Sequence, residues 1–255
     1  MAQLFKPSAN TAARGSLLVL GAAPLLLFYA GSTLSRSAYN TKQNVPLNQP
    51  VPFSHKHHVG ELGIDCRFCH PSVESSPTAG VPAVETCMTC HSQIWTNSPL
   101  LEPVRKAYEM GTPIEFKNGD KGWNLVNKVP EFVYFNHSIH VNRGVNCNQC
   151  HGPVQEMQIT MKGNVFSMSW CLTCHREPEK FIYADPNDKK MSPREQVFNL
   201  YRKIQDGDKL TRRENDIAHG EIGVRSDDEK LDEKQLESLY KLKKQQLADC
   251  STCHR

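Results

Sequence analysis

PVPFSHKHHVGELGIDCRFCH, residues 50–70, sets three histidines just ahead of a Cys-x-x-Cys-His. EFVYFNHSIHVNRGVNCNQCH, residues 131–151, repeats the plan: Phe-x-His-x-x-His, then two cysteines and another histidine. The repeat is close to exact in spacing, with His55 and His137 82 residues apart and Cys66 and Cys147 81 apart. Each copy continues to a second Cys-x-x-Cys-His, TCMTCH at 86–91 and WCLTCH at 170–175, lying 21 and 24 residues after the first. Self-similarity at a fixed period reads as two copies of one module. A further motif, CSTCH at 250–254, stands alone near the C-terminus.

The ten cysteines therefore form five pairs: Cys66 and Cys69, Cys87 and Cys90, Cys147 and Cys150, Cys171 and Cys174, Cys250 and Cys253. Each pair is followed at once by a histidine: His70, His91, His151, His175 and His254. Thioredoxin-like pairs need no following histidine. Zinc ribbons use two knuckles per metal, so an odd number of pairs leaves one over. Disulfides between residues three apart close tiny loops and stabilise little. Five c-type haem attachment sites explain every cysteine. On a helical turn, residues i, i+3 and i+4 are neighbours. Both thiols can then bond one porphyrin edge, while the histidine reaches the iron as proximal ligand.

Six histidines remain: His55, His57, His58, His137, His140 and His219. The shared Phe-x-His-x-x-His selects His55, His58, His137 and His140 as distal ligands. Two histidines three apart on one turn share a face and cannot sit on opposite sides of one iron, so each pair is expected to serve two haems. Phe53 and Phe135 are expected to pack on porphyrin faces. For the fifth distal position His219 is the first candidate, with Met161, Met168 and His57 as alternatives. The methionines, Met157 included, can equally be gap fillers.

Across 255 residues only 38% are hydrophobic and the net charge is +3, which does not suggest a nucleic-acid binder. Porphyrins must supply much of the core, so the expected fold is mostly α with long loops and little sheet, organised around the haems. Residues 15–35, GSLLVLGAAPLLLFYAGSTLS, carry no charge. As a helix they would span about 31 Å, matching a hydrocarbon layer of about 30 Å. A cleaved leader is the rival reading; the segment is expected to persist as an anchor. Because c-type haems are attached on the exported side, the N-terminus is placed inside and the haem domain outside, on the periplasmic face of a bacterial cytoplasmic membrane.

The expected organisation is residues 1–36 as cytoplasmic N-terminus and transmembrane helix, 37–52 as linker, and 53–130 and 131–180 as two dihaem modules. Residues 181–255 form a helical C-terminal region ending in the fifth site. Ser192-Pro193-Arg194-Glu195 opens a helix with a cap, a proline and a glutamate in register, with Val197, Leu200, Tyr201 and Ile204 inward and Asp206-Gly207 as its end. A second helix is expected from about Asp228 to Leu247, with Leu231, Leu239 and Leu242 inward. Residues 97–130 read as loop with one short helix near 101–110.

The N-terminal apolar segment, Phe-x-His-x-x-His before CxxCH, the paired modules and the terminal CSTCHR together resemble the pentahaem cytochrome c subunit of bacterial alternative complex III. The modules also look like those of cytochromes c7 and c3. This resemblance implies electron transfer from quinol-oxidising subunits towards a monohaem cytochrome c or a terminal oxidase. It also implies an iron–sulfur protein and polytopic quinol-binding subunits as partners, with no catalysis by this chain alone. Two other readings stay open. Anchored quinol dehydrogenases of the NapC and NrfH type commonly place a methionine just after the first motif, where this chain has Pro71 and Ser72. Multihaem reductases keep one haem open, often with lysine in the motif, whereas all five motifs here carry histidine.

Overall fold

The computed structural model describes residues 6, 8–115, 121–226 and 229–254, and divides the chain into two units, Met1–Gln43 and Asn44–Arg255. The first unit is built on α1 (Ser8–Arg36), followed by the single turn α2 (Ala38–Thr41). None of the α1 side chains is buried, and its mean hydropathy is 1.9 over the most apolar stretch. The helix is long and apolar enough to cross a membrane. Pro24 lies inside it, a placement that bilayer helices tolerate.

The second unit is helical, and among its described residues there is no strand, only isolated bridges such as Pro46 with Met161 and Val133 with His254. A π-helical turn (Lys56–Glu61) precedes α3 (Cys66–Cys69) and α4 (Val84–His91). After α5 (Glu102–Met110) come α6 (His137–Asn142), α7 (Cys147–His151), α8 (Met168–Arg176) and α9 (Pro178–Phe181). The C-terminal part holds α10 (Pro193–Asp206), α11 (Arg212–Ala218), α12 (Glu233–Tyr240), α13 (Lys244–Leu247) and α14 (Cys250–Cys253). Residues 44–52, part of the expected linker, pack on this unit. Asn44 donates to the Lys162 carbonyl at 2.9 Å, Gln49 and Asn124 bond each other's segments, and Val51 is buried.

Apolar cores are small, as a chain poor in hydrophobic residues requires. One joins Val51, Leu101, Val104, Ala107 and Ile114; another joins Ile182, Ala184, Leu231, Leu236 and Tyr240; a third holds Val73, Val141 and Phe198. Helix α10 forms as its sequence dictates. The Ser192 hydroxyl accepts from the Glu195 N–H, Glu195 accepts from the Ser192 N–H at 2.7 Å, and Gly207 ends the helix at φ 72°. It buries Val197, Phe198 and Leu200. Removing the cap with Ser192→Ala is expected to cost about 1 kcal/mol, a fall in melting temperature of about 2–4 °C. Unchanged thermal unfolding would show that the cap contributes nothing.

The second expected helix is a correction. It starts at Glu233 and breaks at Lys241, which adopts φ 51° and ψ 43° and whose N–H bonds to the Leu236 carbonyl. Tyr240 is buried there, its hydroxyl donating to the Ala184 carbonyl at 2.8 Å. Leu231 is buried and Leu242 packs on the same cluster; Asp228 and the Leu239 side chain lie outside the described residues. Nothing in KLKK signals a break, because the left-handed residue is a lysine, and the tertiary contacts beside it are those of Tyr240, which donates to the Ala184 carbonyl and accepts from Arg143 Nε. Gly144 shows the opposite case. At φ 78° a Cβ would come within 2.4 Å of the Ala184 Cβ, and its carbonyl accepts from the N–H groups of Tyr183 and Ala184. Only glycine lets the chain ahead of α7 lie so close to 183–184.

Candidate functional site

Each Cys-x-x-Cys occupies a helical turn, and side-chain caps open three of the five. Asp65 accepts from the Arg67 N–H at 2.9 Å, Asn146 from the Asn148 N–H at 3.0 Å, and Ser167 from the Trp170 N–H at 3.3 Å. None of the ten cysteines is in a disulfide. Burial pushes Cys66 and Cys150 well above the ordinary thiol range, Cys147 in the same direction, and Cys174 to about 11.

The histidines share a second feature. Nδ1 lies against a backbone carbonyl in His70 (Gly80, 2.6 Å), His91 (Ile94, 3.2 Å) and His175 (Leu247, 2.9 Å). The same holds for His58 (Ser54), His137 (Pro77) and His140 (Asn136), each at 2.8 Å. A carbonyl only accepts, so Nδ1 carries the proton and Nε2 keeps a free lone pair. That is the tautomer an Nε2 metal ligand needs, with its orientation fixed by the outer hydrogen bond. His55 instead pairs Nδ1 with the Thr160 hydroxyl at 3.0 Å. Burial, then neighbouring His70 and His58, holds His55 down to about 4. Burial, then His137, does the same for His151. Both are neutral donors at physiological pH.

The ring positions are more specific still. With metal–nitrogen bonds of about 2 Å, two imidazoles on opposite sides of one metal have centroids about 6 Å apart. His58 and His91 are separated by 6.2 Å, His137 and His151 by 6.2 Å, and His140 and His175 by 6.1 Å. Each pairs one histidine of a Phe-x-His-x-x-His with one from a Cys-x-x-Cys-His. His55 has His70 as an electrostatic neighbour. The phenylalanines lie within the histidine pairs. Phe53 stacks on His58 at 4.4 Å and meets His55 edge-on at 4.9 Å; Phe135 stacks on His140 at 4.8 Å and meets His137 edge-on at 4.7 Å. The repeated motif is thus one physical clamp made twice, although the first is wound as a π-turn and the second as an α-helix.

Candidates for the fifth distal position are scattered. His219 caps α11, and Gly220 beside it is wedged on Pro153, where a Cβ would lie 2.3 Å from Cδ. That places His219 by the loop after the third motif. The terminal motif lies elsewhere, with the Tyr134 N–H on the Cys253 carbonyl and Phe132 stacked 5.8 Å from His254. His57 turns to Glu61, 2.8 Å away. Met157 is buried, Met161 donates its N–H to the Met157 sulfur at 3.5 Å, and Met168 opens α8 with its side chain exposed.

A buried polar network around α7 was not legible as functional in the sequence. Asn146 donates to the Val197 carbonyl at 3.0 Å, Asn148 to Gln155 at 2.8 Å, and Gln149 to the carbonyls of Phe181 and Ile222. Tyr201 of α10 donates its hydroxyl between the side-chain oxygens of Asn146 and Asn148, at 3.1 and 2.9 Å. The only signal was the pair of amides inside CNQCH, which none of the other four motifs carries.

These surroundings fit a large apolar metal cofactor. Phe68, Ile94, Phe132, Ile139 and Met168, all in or beside the motifs, are exposed, which large apolar groups avoid unless something covers them. Among the described residues no three His, Cys, Asp or Glu side chains converge on one point, as a metal held by protein alone requires. Which residues would hold haem follows from the pairs above.

Residues 133–198 match the family model for cytochrome c7 and related cytochrome c, and residues 32–108 match that for the class III cytochrome C family. The chain is also similar to the menaquinone reductase multiheme cytochrome c subunit of Nitratidesulfovibrio vulgaris, 36% identical over 104 residues. That alignment takes in 40% of this chain and 45% of the relative, so it spans less than half of the relative's length. The two repeats each carry multihaem cytochrome c modules, and the fold around them is mostly helical with long loops.

Proposed function

We propose that this chain is a membrane-anchored pentahaem cytochrome that relays electrons between a quinone-handling membrane complex and a soluble or oxidase acceptor. The observation that carries the reading is the set of imidazole pairs about 6 Å apart, each with Nδ1 tied to a carbonyl in all but His151. In this reading Cys66, Cys69, Cys87, Cys90, Cys147, Cys150, Cys171, Cys174, Cys250 and Cys253 hold five haems by thioether bonds. His70, His91, His151, His175 and His254 are the proximal ligands, and His55, His58, His137 and His140 are distal to the first, second, third and fourth irons. Bound haem supplies a one-electron Fe(III)/Fe(II) couple. The paired histidines would each offer the iron a nitrogen donor, which would keep substrates off the iron and the spin state low. Carbonyl-bound Nδ1–H groups hold His58, His70, His91, His137, His140 and His175 in place and make their Nε2 atoms stronger donors. Helix α1 anchors the haem unit to the membrane, with the haems on the periplasmic side.

The motif pattern favours electron flow from quinol, in an alternative complex III with an iron–sulfur protein and polytopic quinol-binding subunits, to a monohaem cytochrome c or oxidase. The similarity to a menaquinone reductase subunit favours the opposite direction, into the quinone pool. Both are tested on the intact complex in its membrane. A ferrous absorption band that appears on adding menaquinol and passes to an added cytochrome c supports the first direction. Haems that stay ferric with menaquinol, and lose electrons to menaquinone once reduced, support the second. Haems indifferent to both would reject a quinone-linked role.

A further inference from the structure

The five motifs follow one order along the sequence, and the hydrogen bonds between them describe another. The first clamp joins the first and second sites, since His58 faces His91 while His55, on the same turn, neighbours His70. The second clamp joins the third and fourth, with His137 facing His151 and His140 facing His175.

The two clamps are joined through the first and third sites by reciprocal anchoring. The loop after His70 turns back on α6: the Pro77 carbonyl accepts from His137 Nδ1 and N–H, and the Ser76 carbonyl accepts from the Ser138 N–H at 3.2 Å. In return, the segment after His151 supports the first clamp. Thr160 bonds His55 Nδ1 at 3.0 Å, and the Met157 carbonyl accepts from the Lys56 N–H at 2.9 Å. So the histidine distal to each of these irons is oriented by the chain that follows the other's proximal histidine. The fourth and fifth sites meet at the C-terminus. The Leu247 carbonyl, three residues before Cys250, accepts from His175 Nδ1, and α13 packs on α8.

We propose that the attachment sites form one line in the order second, first, third, fourth, fifth, so that an electron crosses from one repeat to the other between the first and third sites. The second and fifth sites are then the ends, where partners exchange electrons, and the first is interior although it comes first in the sequence. Each step moves one electron from a ferrous to a neighbouring ferric iron, with no bond made or broken and no proton displaced; a quinol supplies two such electrons in succession. This order rests on the pentahaem reading above.

The test reads neighbours magnetically, by electron paramagnetic resonance of the full chain. A methionine ligand raises a haem's potential, so in His58→Met mild reductant turns only the second haem diamagnetic, and in His55→Met only the first. The line predicts that reducing the second haem alters one remaining ferric signal, and reducing the first alters two. The reverse counts would mean that haems follow sequence order and would overturn the proposal. Should the methionine variants fail to keep haem, paired alanine substitutions serve. Loss of the first site (Cys66→Ala with Cys69→Ala) is expected to produce one magnetically isolated low-spin haem, and loss of the second (Cys87→Ala with Cys90→Ala) none; the opposite pattern also overturns it. A wild-type pyridine haemochrome count other than five would reject the pentahaem reading itself, separately from the order.

Discussion

His140→Ala is expected to convert one of the haems from low to high spin and to slow electron passage along the chain about 100-fold, as a rise of about 3 kcal/mol at one step implies. His140 has every feature of a placed donor. Its ring is 6.1 Å from His175, Phe135 stacks on it at 4.8 Å, and its Nδ1 donates to the Asn136 carbonyl at 2.8 Å. Burial holds it neutral, opposed in part by that carbonyl. No other side chain can take its place, because Phe135 and the Asn136 cap fix the turn. Added imidazole is expected to restore the low-spin spectrum by entering the vacated position. A variant that keeps all its haems low spin without added ligand would show that His140 does not bind iron.

The largest loss of stability is expected from Asn146→Ala. Asn146 is fully buried and accepts from the Asn148 N–H and the Tyr201 hydroxyl while donating to the Val197 carbonyl. Removing it deletes the cap of α7, worth about 1 kcal/mol, and strips a partner from a buried carbonyl, which costs about 1–3 kcal/mol. A total near 3 kcal/mol lowers the melting temperature by about 6–12 °C in a chain of this size. Haem stoichiometry should stay unchanged, because no ligand is touched. Calorimetry that finds a loss as small as that of the exposed Ser192 cap would show that the network adds nothing beyond capping.

Much of the candidate site was legible in the sequence because its chemistry imposes short, fixed spacings. Cys-x-x-Cys-His needs one helical turn, and Phe-x-His-x-x-His needs one more, so both appear as local patterns. Helix α10 was legible for the same reason, its cap, proline and terminal glycine all lying within its own residues. The break at Lys241 and the network of Asn146, Asn148, Gln155 and Tyr201 were not, since each depends on residues dozens of positions away.

The sequence by itself determined how many Cys-x-x-Cys-His motifs there are, which histidines belong to them, and that the chain would be helical around small cores. Only the tertiary structure decided which imidazoles face each other, that Phe53 and Phe135 wedge the histidine pairs, and that the loop after His70 anchors His137. The physical reason is range. Ligand spacing on a turn is set by backbone geometry over four residues, whereas the meeting of His140 with His175, or of Pro77 with His137, is set by how loops of many residues close and pack.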